Sequence, residues 1–296
     1  MLLKRSRPGA ILILCHARTE HLIKVLESIK LASTVQEWDI VICAQDPTTE
    51  VLQIIKNTKL QNLYVEVRSL KEKDFSVKKC INSNLFWGMN HIFNVLGKEY
   101  VVVLEDDVVI SPSFLEYMCY FLTRFQKSRS FRGVNSVSSF VGDQNENSFG
   151  KYSQGLMWGW GITNRVFQKL EKFWTGEEDA HWDYYLEPFL RTGFVINPMY
   201  SQVKNIGFDS TASHTKDAPE LENAINESFR KGLTLKPNKW RESEIDFRMR
   251  KDYLHLSRRK LIRNFLVLGG MYMSFTFYFA GIKTYGYLHY LSRRIR

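Results

Sequence analysis

YVVVLEDDVVI, residues 100–110, sets an unbroken apolar run, Tyr100 to Leu104, directly before three acids, Glu105, Asp106 and Asp107. A short apolar run without polar alternation reads as a strand covered on both faces, the kind found in parallel sheets. Upstream, AILILC at 10–15, DIVICA at 39–44 and LYVEV at 63–67 have the same character. Between them lie segments with helical spacing: 20–32, with Leu22, Val25, Leu26 and Ile29 on one face, then 49–58 and 77–96. This β-α-β-α-β alternation predicts an α/β protein built on a mostly parallel, doubly wound, Rossmann-like sheet. Ligands of such sheets bind beyond the carboxyl ends of the strands, so the polar residues that close each run are the first site candidates. Downstream, the spacing predicts helices over 113–125, 164–173 and 181–190, a glycine and tryptophan loop GLMWGWG at 155–161, and a polar surface segment over 216–244.

The bulk composition, 44% hydrophobic and 24% charged over 296 residues, is that of a globular domain with an appendage. The net charge of +10 is concentrated at one end: residues 248–296 carry eleven Lys or Arg against the single acid Asp252, which leaves 1–247 neutral. A neutral body with a cationic tail argues against a nucleic-acid-binding face on the body and for a separate anchoring segment, since polybasic stretches gain about 1 kcal/mol per residue near anionic lipid. Within the tail, 265–282 is uncharged, rich in Tyr and Phe, interrupted by Gly269, Gly270 and Gly281, and flanked by SRRKLIR and SRRIR. Basic flanks on both sides favour a helix lying in the membrane interface; a single span and packing in a homodimer are the alternatives. The expected division is therefore a catalytic-sized domain at 1–247 and a membrane-associating tail at 248–296. Cys15, Cys43, Cys80 and Cys119 form no CxxC pair and read as buried, reduced thiols. The apolar run at 10–15 follows basic residues but is too short for a signal peptide and reads as the first strand.

Three adjacent carboxylates repel one another, and at the end of a buried strand they need a cation or several hydrogen-bond donors. A hard divalent ion, bridging one or two carboxylates to substrate phosphates, supplies that; a solvated acidic turn is the plain alternative.

The run VVVLEDDVVISPSFLEYM resembles the acidic metal motif of the Golgi N-acetylglucosaminyltransferases that initiate hybrid and complex N-glycans. Further pieces recur in the same order: a first strand closed by Arg18, a second closed by Gln45 and Asp46, a helix carrying Trp87, the GLMWGWG loop, HWDYYL at 181–186, and NIGFDSTASH at 205–214. The resemblance spans about 9–216. It implies a GT-A glycosyltransferase in which Asp107 binds manganese, or magnesium, bridging the donor diphosphate. It further implies that Glu105 and Asp106 contact ribose and sugar, and that Arg18 and Asp46 contact the nucleotide, a uridine donor being favoured. Where the family has a base-pocket histidine, this chain has Asn84.

An inverting transfer needs a carboxylate to take the proton from the attacking hydroxyl. The resemblance assigns that role to Asp183, between Trp182 and Tyr184, in an aromatic setting expected to raise its pKa; Glu187 is the fallback and a helix-capping Asp the plain reading. His214 is implied as a metal ligand or phosphate contact. Gly155, Gly159 and Gly161 permit close backbone approach, and Trp158 and Trp160 offer faces for sugar stacking. The expected partners are a nucleotide-sugar donor, a glycan or glycolipid acceptor and the membrane surface, and the expected location is the cytoplasmic face of the cell membrane. Two other functions stay open: a sugar-nucleotide pyrophosphorylase, disfavoured because CHARTEH lacks glycine, and a non-catalytic glycan- or lipid-binding protein.

Overall fold

The four apolar runs are strands β1 (Gly9–Cys15), β2 (Trp38–Gln45), β3 (Leu63–Arg68) and β4 (Tyr100–Glu105), mutually parallel in the spatial order β3-β2-β1-β4. Ile13 lies beside Ile42 on one side and Leu104 on the other. Every residue of β1 is buried, as is all of β2 except Gln45, so helices cover both faces of the sheet's centre. These strands are joined by α1 (Thr19–Lys30), α2 (Thr49–Asn57) and α3 (Val77–Asn90). Thr48 Oγ1 accepts from Val51 N to cap α2, and Ser76 Oγ accepts from Lys79 N to cap α3. Helix α3 lies so close to the sheet that a Cβ on Gly88 would come within 2.6 Å of Leu12, and it ends in a π-helical turn, His91–Val95.

The chain leaves β1 toward β2 on one side and later returns to β4 on the other. The carboxyl ends of β1 and β4 thus flank a topological switch point, where open α/β sheets hold their ligands.

The computed structural model describes residues 7–70, 75–138, 148–152, 156, 158–208, 219–233 and 241–242, all within one unit, Met1–Ser243. Its second half comprises β5 (Val108–Ile110), α4 (Phe114–Phe125), β6 (Phe131–Val134), β7 (Ser148–Tyr152), β8 (Trp160–Thr163), α5 (Asn164–Leu170), α6 (Asp183–Leu190), β9 (Phe194–Pro198), β10 (Val203–Asn205), α7 (Pro219–Gly232) and β11 (Arg241–Glu242). Nine strands form one sheet in the order β11-β7-β9-β6-β8-β4-β1-β2-β3, with β8 antiparallel to both β4 and β6. The sheet is therefore parallel-rich but mixed, a departure confined to strands too short for their pairing to be read from periodicity. Within the polar surface segment expected over 216–244, the described residues form a helix and a short strand. Helix α7 is seated by buried Ile225 and by Ser228, whose hydroxyl accepts from Ser201 N at 2.9 Å.

Cys15, Cys43 and Cys80 are buried and free, as expected, and Cys119 is half-buried. Burial pushes the Cys43 thiol up to about 12. The tail at 248–296 lies outside the described residues; among these, no helix is long and apolar enough to cross a membrane.

Candidate active site

After Glu105 the chain reverses through Asp106 and Asp107 into β5, which pairs antiparallel with β10. That pairing carries residues 206–208 over the acids. Ile206 N donates to the Asp107 carbonyl at 2.8 Å, and a Cβ on Gly207 would collide with the Asp107 carboxylate and meet Arg18 Nη1 at 3.0 Å. Any side chain there would have to displace the Asp107 carboxylate from its place beside Arg18.

From the other side of the switch point, the segment after β1 closes on the same turn. His16 N donates to Asp106 Oδ2 at 3.3 Å. Arg18, in extended backbone just before α1, divides its guanidinium between two carboxylates: Nη1 lies 2.8 Å from Asp107 Oδ2, and Nη2 donates to Asp106 Oδ1. His21, one turn into α1, faces the Ile206 carbonyl at 3.2 Å through Nε2.

Charge at this turn is unbalanced. Asp106 and Asp107 are 4% and 6% exposed, and both pair with one guanidinium, with Glu105 next to them in the chain. Burial pulls Arg18 down, but Asp106 and Asp107 outweigh it and hold the guanidinium above its usual value. Burial pushes the Asp107 carboxyl up against the pull of Arg18. Half-buried Glu105 is pushed up to about 7 by burial and by Asp107 and Asp106, with His181 and Arg18 acting in the opposite sense. Asp107 Oδ1 is buried with no hydrogen-bond partner among the described residues. A buried, unpartnered carboxylate oxygen is costly, so this atom marks where a donor or cation is wanted.

Asp183 opens α6, and His181 connects it to the acid turn: its Nδ1 stands 2.9 Å from Asp183 Oδ1, and its charge is felt at Glu105. The aromatic enclosure expected around Asp183 is not found. Trp182 is buried, 5.3 Å from Trp160, whereas the Asp183 side chain is 62% exposed, because neighbouring residues at a helix start point in different directions. Glu187, the fallback base, is held by Arg191 one turn on at 2.5 Å.

The remaining candidates separate. Trp158 is half-buried and meets Phe208 edge to face at 5.8 Å, which sets it beside the segment crossing the acids. Gly159 has φ 63, and Gly161 packs directly on the Val101 carbonyl, so both glycines are required by backbone geometry. Trp160 is core, which leaves Trp158 as the indole with an open face. Asp46 and Asn84 stand with β2 and β3. Asp46, at φ 42, accepts from Leu70 N at 3.0 Å. Asn84 is buried, donates to the Cys43 carbonyl at 3.2 Å and accepts from Arg68 Nη1 at 3.5 Å. His214 and Gly155 lie outside the described residues, among which no group of three or more His, Cys, Asp or Glu is arranged to hold a metal.

Sequence reasoning missed His21, His181 and Gly207. The signal for His21 was its spacing: three residues after Arg18 at a helix start puts both on one side. Gly207 carried no signal, since only the pairing of β5 with β10 reveals what it approaches.

No protein-family model matches the sequence. No curated protein matches it. Among solved structures, S. aureus TarS, a glycosyltransferase, aligns with a TM-score of 0.48 and 11% identity, covering 86% of this chain and 48% of its own. The chain thus spans about half the length of TarS, and the likeness is one of outline.

Proposed function

We propose that this protein is an inverting, metal-assisted glycosyltransferase that moves a sugar, N-acetylglucosamine or a relative, from a UDP-linked donor to a hydroxyl of a membrane-linked glycan. The observation that carries this reading is the carboxylate turn at the switch point, short of positive charge and holding one buried Asp107 oxygen without a partner. The motif order shared with the Golgi N-acetylglucosaminyltransferases supports it further.

The residues present suit a divalent ion of limited protein coordination. Asp107 has one oxygen without a partner, His214 is the proposed second ligand, and hard ions accept diphosphate and water oxygens for the rest. Such an ion, when bound, neutralises the charge that develops on the departing diphosphate. Arg18 already stands at the two carboxylates and would contact the same diphosphate. Glu105, kept partly protonated near neutral pH, can donate to a sugar or ribose oxygen as well as accept. The Trp158 face would stack on the sugar. In the transfer, the acceptor oxygen forms the new bond to the anomeric carbon, the bond to the nucleoside diphosphate breaks, and the acceptor proton passes to Asp183. His181, 2.9 Å from that carboxylate, would orient it for the proton.

Donor hydrolysis by the purified chain, with manganese, magnesium or chelator, tests this. Hydrolysis should be abolished by chelator and reduced at least about 100-fold in Asp107→Asn, while Asp183→Asn should lower transfer by about 100- to 10,000-fold and leave donor binding intact. Indifference to chelator, or full activity in Asp107→Asn, would refute the proposal. The runner-up is a non-catalytic glycan-binding protein. It draws on Arg18, whose two ion pairs offset part of the acid charge without any metal, and it predicts donor binding with no turnover.

A further inference from the structure

At the opposite end of the strands, where β6 and β9 begin, positive charge gathers around α5. Arg165 and Lys169 lie one turn apart on that helix, and Lys172 follows in the turn just after its end. Arg129 and Arg132 close in from the start of β6. Arg132 is buried and occupied: it donates to the Phe189, Arg129 and Phe131 carbonyls and to Thr192 Oγ1. Arg165 donates to the Ser128 carbonyl, but its Nε is buried without a partner among the described residues. Arg129 and Lys172 are exposed, and Lys169 is half-buried. None of these five is within ion-pair distance of a carboxylate among the described residues. Glu171, in the same turn, is taken up instead by Asn94 on the α3 side. Burial pulls the Lys169 ammonium down, and so do Arg132, Arg165, Lys172 and Arg129, with no acid acting the other way. In a body whose acids and bases balance overall, five cations converging without a counterion is a site short of negative charge.

We infer that Arg129, Arg165, Lys169 and Lys172 form a binding site for a phosphate group, carried by a free polyphosphate or by an anionic lipid headgroup, at the end of the sheet remote from the acid turn. Register sets that separation: Tyr100, at the start of β4, lies beside Thr163, the residue before α5, whereas the acids follow the end of β4. A site there can hold an anion without competing with the donor. Arg132 acts beneath it as a fixed positive charge.

Lysine acetylation of the full chain, mapped by mass spectrometry, reads this site separately from the tail and the acid turn. The probes are inorganic pyrophosphate, phosphatidylglycerol vesicles and phosphatidylcholine vesicles. Lys169 and Lys172 should be protected by pyrophosphate, by phosphatidylglycerol or by both, and not by phosphatidylcholine, with exposed Lys24 and Lys56 as references. Protection by pyrophosphate identifies a free phosphate ligand, and protection by phosphatidylglycerol alone identifies a headgroup. Arg129→Gln, an exposed change, should raise the half-protecting concentration about fivefold. If Lys169 and Lys172 are protected no more than Lys24 and Lys56 by either anion, or if Arg129→Gln leaves the half-protecting concentration unchanged, the inference is overturned.

Discussion

At Glu105 a functional demand and a stability demand pull apart. The carboxyl ordinarily titrates at 4.5 and is pushed up to about 7 here, first by burial and then by its two acidic neighbours. Between those values the native state keeps a proton that the unfolded chain has released. Rising pH therefore favours unfolding through this window, and the penalty is complete above about pH 7. Glutamine cannot ionise and escapes it. With chelator present, Glu105→Gln should be more stable than the parent at pH 8 by about 1–2 kcal/mol, less than the whole shift would give because the side chain keeps some contact with water. The difference should vanish toward pH 4. Urea unfolding at several pH values measures this, and a variant less stable at pH 8 would mean that the carboxylate is already satisfied. Activity should move the opposite way, as expected where charge is concentrated for a ligand.

Elements, more than single residues, decide what was legible beforehand. Strands β1, β2 and β4 announced themselves because burial on both faces leaves mainly apolar residues, and α1 and α2 because one face had to be apolar at helical spacing. The acid turn followed from closing the apolar run of β4, and Arg18 from the family resemblance, which sets it after the first strand. What stayed hidden depends on contacts between distant segments. Helix α7 is anchored by buried Ile225 and Ser228, too few for a periodic signal, and the partner of β5 lies ninety-odd residues away in β10. That second pairing makes Gly207 critical. Gly207→Ala would drive a methyl into the Asp107 carboxylate, and the segment must lift or Arg18 must release its ion pair. The expected result is a loss of about 1–3 kcal/mol in stability, as for other overpacked sites, together with loss of donor hydrolysis. If alanine is tolerated with full donor hydrolysis, residues 206–208 do not close over the acids when donor is bound.

Across the whole molecule, charge is sorted by position. Acids gather where β1 and β4 end, cations gather where β6 and β9 begin, and the sequence adds eleven more cations against one acid over 248–296. Without that tail, residues 1–247 carry equal numbers of acids and bases, so a truncated chain should be least soluble near neutral pH. Its fold should nevertheless be complete, because the described strands and helices all belong to the unit Met1–Ser243. A chain ending at residue 247 should keep the thermal midpoint of the full protein within about 2 °C and hydrolyse donor at an unchanged rate, since a shift of that size corresponds to no more than about 1 kcal/mol in a domain this large. Differential scanning calorimetry at moderate salt, away from the solubility minimum, is the measurement. A lowered midpoint would mean that part of the basic segment packs on residues 1–247, and a retained midpoint with lost hydrolysis would mean that the segment completes the proposed site.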